Sequence, residues 1–202
     1  GALDETIGIL EQLLVRNPHH AAAAADLAIA YCLRYAGTGR DEAWLVRATT
    51  SAEMAVRQDD QLARAHAALG WTQEFLGRTD PARASYARAL VLDPGERYAL
   101  IGSARLETRA GAFAQARAAI DAALRRYPDD RVFLDALGTW HFRQAQYAEA
   151  ESVFRLAIAR APDSVGSHAN LNAVLLRQGR IEEALAVLQQ GLQSPEHAAF
   201  CE

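Results

Sequence analysis

Pro94, Pro128 and Pro162 stand 34 residues apart, and Pro18 and Pro195 fall close to where the same register would place them. A fixed period of this length marks a stacked repeat, because one such unit cannot bury its apolar face alone and must pack on its neighbours. Aligning Ala63–Glu96, Arg97–Asp130, Arg131–Ser164 and Val165–Ala198 shows what recurs. The twentieth position reads Ala82, Ala116, Ala150 and Ala184, and the twenty-seventh reads Ala89, Ala123, Ala157 and Gly191. Small side chains there let two antiparallel helices approach closely. The twenty-fourth position is large and apolar, as Tyr86, Ile120, Phe154 and Leu188, and is predicted to fill the seam between them. At the fifteenth, Gly77, Gly111, Ala145 and Gly179 predict the turn between the paired helices, where glycine takes a left-handed φ at low cost.

The composition agrees with close helix packing. There are 44 alanines in 202 residues while aromatic residues make up 7%, so apolar bulk comes in small pieces that suit helices packed backbone to backbone. All 21 basic residues are arginine. Mechanisms that need a Schiff-base or phosphate-loop lysine are therefore excluded. A net charge of -4 lacks the positive field of a nucleic-acid binder. Cys32 and Cys201 do not form a disulfide framework, which favours a cytoplasmic location and leaves a periplasmic one open. No run of about 20 apolar residues is present, since Asp26 interrupts the stretch Ala21–Leu33.

The recurring residues resemble the tetratricopeptide repeat, TPR, a helix-turn-helix unit of 34 residues. Leu69-Gly70 and Leu137-Gly138 match the Leu-Gly pair of the family's first helix, and Tyr147, Ala150, Phe154, Ala157 and Pro162 match its second helix in order. Departures are local: Ser103-Ala104 replaces Leu-Gly, Asn172 replaces the glycine of the last unit, and Gln73, Glu107 and Leu175 stand where the family prefers tyrosine. The resemblance implies an all-α, right-handed superhelical solenoid of antiparallel helix pairs with a concave groove, like arrays in bacterial multidomain signalling or scaffold proteins. The expected organisation is one array: a half unit over 1–20 carrying a second helix only, a long unit over 21–62, four units of 34 over 63–198, and the start of another unit over 199–202. Both ends read as cut from a longer protein, with apolar surface on the terminal helices sealed by self-association.

The long unit is irregular. With Leu27, Ala28 and Tyr31 at the first-helix signature positions, the second-helix alanine is due at position 40 and arrives eight residues late, at Ala48. Residues Gly37 to Asp41 read as a loop ending in a helix N-cap, with Glu42 in the favourable first turn. Two readings stay open: a longer helix pair with a wider loop, or a docking knob formed by Trp44 and the loop.

No constellation for chemistry emerges. The six histidines make no metal-ligand spacing, and His66, His141 and His168 read as half-buried, hydrogen-bonded packing residues. Gly37-Thr38-Gly39 lacks the lysine and strand of a phosphate loop. Neither a metal nor a cofactor is expected, and the chain is read as no enzyme. Arg109, Arg143 and Arg177 recur at the thirteenth position, where a cation suits the carbonyl end of a first helix.

As the resemblance implies, first helices line the groove, and their second, fifth, ninth and twelfth positions, with the sixth and thirteenth at the margin, face a ligand. The candidates are Arg64, Trp71 and Glu74, then Tyr98, Ile101 and Arg105, then Asp135, Thr139 and Phe142, with Asn170 beyond. Trp71, Tyr98 and Phe142 with Arg64 and Arg105 make the expected hot spot, because aromatic and arginine anchors dominate interface energies. The alternative is that each aromatic packs on the neighbouring unit. Replacing Trp71 and Arg105 together is expected to abolish partner capture without unfolding. The sixth column, Asp26, Ala68, Gly102, Ala136 and Asn170, reproduces neither the family's chaperone-carboxylate clamp nor its asparagine ladder. The expected function is a protein-interaction scaffold holding a peptide or helix with apolar anchors and an acid, with no nucleic-acid partner and no membrane span. A second reading is the regulatory or sensor region of a larger bacterial signalling enzyme, a kinase or transferase.

Overall fold

The computed structural model describes residues 1–37 and 41–193. Among them run eleven helices and no strand: α1 (Ala2–Arg16), α2 (Ala21–Gly37), α3 (Glu42–Gln58), α4 (Ala63–Phe75), α5 (Thr79–Leu92), α6 (Arg97–Ala110), α7 (Phe113–Arg126), α8 (Arg131–Arg143), α9 (Tyr147–Arg160), α10 (Val165–Arg177) and α11 (Ile181–Leu192). The fold class is an all-α solenoid of paired antiparallel helices. Packing divides the chain into two compact units, Gly1–Leu106 and Glu107–Glu202, with the division inside α6.

Each regular first helix stops for the same reason. Gly77, Gly111 and Gly179 take φ of +74°, +77° and +77°, and Ala145 takes +59° in the same place. The next residue can then donate its N–H to the carbonyl five positions back, Arg78 to Gln73 and Arg180 to Leu175, which satisfies groups the helix end would orphan. The second helix starts at once. Caps at the other turns come from Asp130 and Ser164, whose side chains accept from Val132 and Ser167.

The recurring alanines sit in the helix seams: Ala82, Ala89, Ala116, Ala123, Ala150, Ala157 and Ala184 have no exposed surface. Tyr86, Ile120 and Phe154 fill the same seams. Glycine on the first helix is what admits the rings. A Cβ at Gly138 would lie 2.5 Å from the Phe154 ring, one at Gly70 would lie 2.5 Å from the Tyr86 ring, and one at Gly102 would run into that same ring. His168 is buried rather than half-buried, because Gly191 opposite it leaves no Cβ to hold it out; its Nδ1 pairs with the Ser164 carbonyl at 2.8 Å. His66 and His141 are half-buried and bonded, to the Asp60 carbonyl and to Gln146. Arg109, Arg143 and Arg177 occupy the last turns of α6, α8 and α10.

α2 and α3 have 17 residues each, against 13 and 14 in α4 and α5, so most of the inserted residues lengthen helices. Asp41 caps α3 by accepting from the Ala43 N–H at 3.0 Å. Thr38, Gly39 and Arg40, the loop of the expected docking knob, lie outside the described residues. Trp44 is half-buried, its ring 5.7 Å from Tyr31, and the Arg47 guanidinium covers both rings. Tyr31 and Arg47 each donate to Glu11 of α1 at 2.5 Å. Trp44 thereby packs α3 on α2, and Tyr31 and Arg47 tie the pair to α1. Apolar side chains remain exposed on α1 and α11, among them Val15, Ile181 and Leu185.

Candidate partner-binding surface

In the first unit the inner face of the first helices is cross-linked. Arg64 on α4 donates from Nε to Glu96 at 2.6 Å and from Nη1 to Asp26 of α2 at 2.7 Å, with Tyr98 under its guanidinium. Glu96, just before α6, also accepts from the Ala99 N–H at 2.6 Å, so one carboxylate caps a helix and holds an arginine. Trp71 donates its indole N–H to the Tyr98 carbonyl at 3.0 Å and meets the Tyr98 ring edge to face. Arg105 lies 4.6 Å over the Trp71 ring and grips Glu74 with two bonds of 2.9 Å. The Tyr86 hydroxyl donates to the same carboxylate at 2.8 Å.

These contacts settle where the first-unit candidates stand. Trp71, Glu74 and Ile101 are buried, and Arg64, Tyr98 and Arg105 are half-buried and engaged with one another. Trp71 and Arg105 join α4 to α6, so replacing them together removes packing and an ion pair, and a loss of partner capture would not be separable from a loss of fold. Cys32 is fully buried near the same network, and burial pushes its thiol up to about 12, which keeps it neutral. Sequence reading missed Asp26 and Glu96 as partners of Arg64. Asp26 had announced itself as the charge breaking an apolar run and as a member of the sixth column, and Glu96 as the residue ending a unit.

The second unit is more open. Asp135 on α8 accepts from Arg131 and from the Ser167 hydroxyl of α10, both at 2.8 Å. Burial raises its carboxyl above the usual range, against the opposing pull of Ser167, Arg131 and Asn170. Thr139, Phe142 and Asn170 are half-buried. Phe142 rests on Tyr147 and under Arg177. Around them Gly166, Ala169 and Leu176 are exposed, Leu176 at 51%. Asp135, Thr139, Phe142 and Asn170 thus share a face with small and apolar exposed neighbours.

Among the described residues, no group of three or more His, Cys, Asp or Glu side chains could hold a metal ion, and no helix is long and apolar enough to cross a membrane.

Two family models described as tetratricopeptide repeat match residues 62–131 and 141–198. No curated protein sequence matches the chain significantly. Among solved structures, a thermophilic TPR protein of Thermus thermophilus superposes with a TM-score of 0.73 at 20% identity, over 88% of this chain and 98% of that one. The human IFIT1 dimer with m7Gppp-AAAA gives 0.83 at 15% identity, over 98% of this chain and 48% of IFIT1. A chain of the APC/C hetero-tetramer Cut9-Hcn1 gives 0.78 at 18% identity, over 94% and 36%. The chain therefore spans less than half the length of the last two. At these identities the likeness is one of fold.

Proposed function

The chain has the fold of the tetratricopeptide-repeat family, and we propose that it is a non-enzymatic protein-interaction scaffold that takes a peptide or helical segment on the first-helix face of its second unit. The observation that carries this reading is the contrast between the two inner faces. In the first unit the aromatic and charged side chains satisfy one another; in the second, Phe142, Thr139 and Asn170 border exposed Ala169 and Leu176. Apolar contact at Leu176 and Phe142 supplies anchoring, and the Asn170 amide, which also bonds Asp135, supplies direction to a peptide backbone with its remaining hydrogen-bonding capacity. The Asp135 carboxylate on this face is already neutralised by Arg131.

A protein ligand fits better than RNA. The IFIT1 structure holds a capped RNA, but here the inner arginines of the first unit are matched by Asp26, Glu96 and Glu74. With a net charge of -4 the counterion-release term that drives RNA binding is lacking. Panning a random peptide library on the whole chain tests the proposal. Selected peptides are expected to lose at least tenfold in affinity for the Ala169→Arg/Leu176→Asp variant, whose helicity should match wild type. Peptides that bind both proteins equally, or only RNA binding that weakens with salt, would sink it.

A further inference from the structure

The lengthened α2–α3 pair overhangs its neighbour. α2 runs to Gly37, four residues past the register at which α4 stops, and α3 starts six residues before Ala48 whereas α5 starts three before Ala82. Roughly one helical turn, about 5 Å, therefore stands beyond the α4–α5 turn. Beneath the overhang lies an open cleft of about 550 Å³. Its floor is Tyr35 against Phe75, edge to face at 5.6 Å, together with Leu76. Its wall is the α3 face centred on Val46, which is 66% exposed.

Charge brackets this apolar centre. Glu42 and Glu53 lie on the same α3 face as Val46, about 16 Å apart along the helix. Both are exposed, and the contact of Glu53 with Arg57 is a loose 3.7 Å between solvated groups. Among the described residues that line the cleft, Arg78 alone is basic.

We propose that this cleft is a second docking site, separate from the first-helix face of the second unit, and that it takes an amphipathic helical segment of another protein. The segment carries apolar side chains at i and i+4 for Val46 and Leu76, between two basic residues about three turns apart for Glu42 and Glu53. Electrostatic complementarity selects this occupant: an acidic segment would meet two carboxylates, and a basic one pairs with both. The insertion is thereby given a role that Trp44 does not serve, because Trp44 is spent holding α3 in place.

Two labelled helical peptides test it, identical in their leucine pair and differing only in flanking arginines or glutamates. Titrated against the full chain, the arginine peptide should bind at least tenfold tighter than its glutamate twin. Val46→Arg and the double variant Glu42→Arg/Glu53→Arg should each weaken it at least tenfold, and Val46→Ser should weaken it without altering the circular dichroism. Ala169→Arg/Leu176→Asp should leave it unchanged, which separates this site from the one proposed above. Equal binding of the two peptides, no binding of the arginine peptide, or binding indifferent to Val46 would overturn the proposal.

Discussion

Arg105 and Glu74 form an ion pair whose two members are unequally exposed: the glutamate side chain is 3% accessible and the arginine 38%. Removing Arg105 leaves the Glu74 carboxylate its Tyr86 hydroxyl bond but no counter-charge where water hardly reaches, whereas removing Glu74 leaves a guanidinium that can turn outward and a buried Tyr86 hydroxyl without that acceptor. Arg105→Ala should therefore cost about 3–5 kcal/mol, and Glu74→Ala about 1.5–3 kcal/mol, measured by denaturant unfolding. The reverse order would refute this account. Arg105→Lys should recover only part of the loss, since an ammonium cannot reproduce the bidentate grip. Asp135 behaves oppositely. Its folded-state carboxyl is raised by burial, so the folded state holds the proton more tightly than the unfolded one. Stability contributed by this group falls as pH climbs from the unfolded value through the higher folded one, and the penalty is complete at neutral pH. Asp135→Asn should be at least as stable as wild type at pH 7, and its stability should vary less with pH just above the ordinary carboxylate range. A clearly destabilised variant at pH 7 would show that the Arg131 and Ser167 bonds outweigh burial.

At the scale of elements, the turn between paired helices was legible because it needs a backbone conformation that few residues adopt. Glycine at three of four equivalent positions announces it, and Ala145 adopts the same left-handed φ without glycine's freedom. Ala145→Gly should raise stability by about 1 kcal/mol, the relief of left-handed strain outweighing the added freedom of the unfolded chain. Thermal unfolding should show a rise of a few degrees; no change would mean that the strain is absorbed elsewhere. The seam residues were legible for a similar reason. Phe154 requires Gly138, and Tyr86 requires both Gly70 and Gly102. The pairing of Gly102 with Tyr86 was hidden, because position 102 stood in a column read for ligand contact rather than for packing. Trp44 could not be placed from the sequence, which left a wider loop and a docking knob both open; its ring lies against Tyr31 and under Arg47.

For the molecule as a whole, the proposed function separates stability from binding. Trp71→Ala should lower unfolding free energy by about 3 kcal/mol or more, as loss of a buried aromatic does. Its effect on peptide capture should vanish once the folded fraction is accounted for. Ala169→Arg/Leu176→Asp should do the reverse, weakening capture while shifting stability by no more than about 1 kcal/mol for two exposed sites. The sequence by itself determined the helix pairs, their period, the small residues of their seams and the turns between them, because each is a local requirement repeated at a fixed spacing. Which inner side chains are free to meet a ligand was decided only by tertiary structure. Arg64 meets Asp26 from 38 residues away and Arg105 meets Glu74 from 31, and no pattern within one unit reveals that a neighbouring unit has already claimed a side chain.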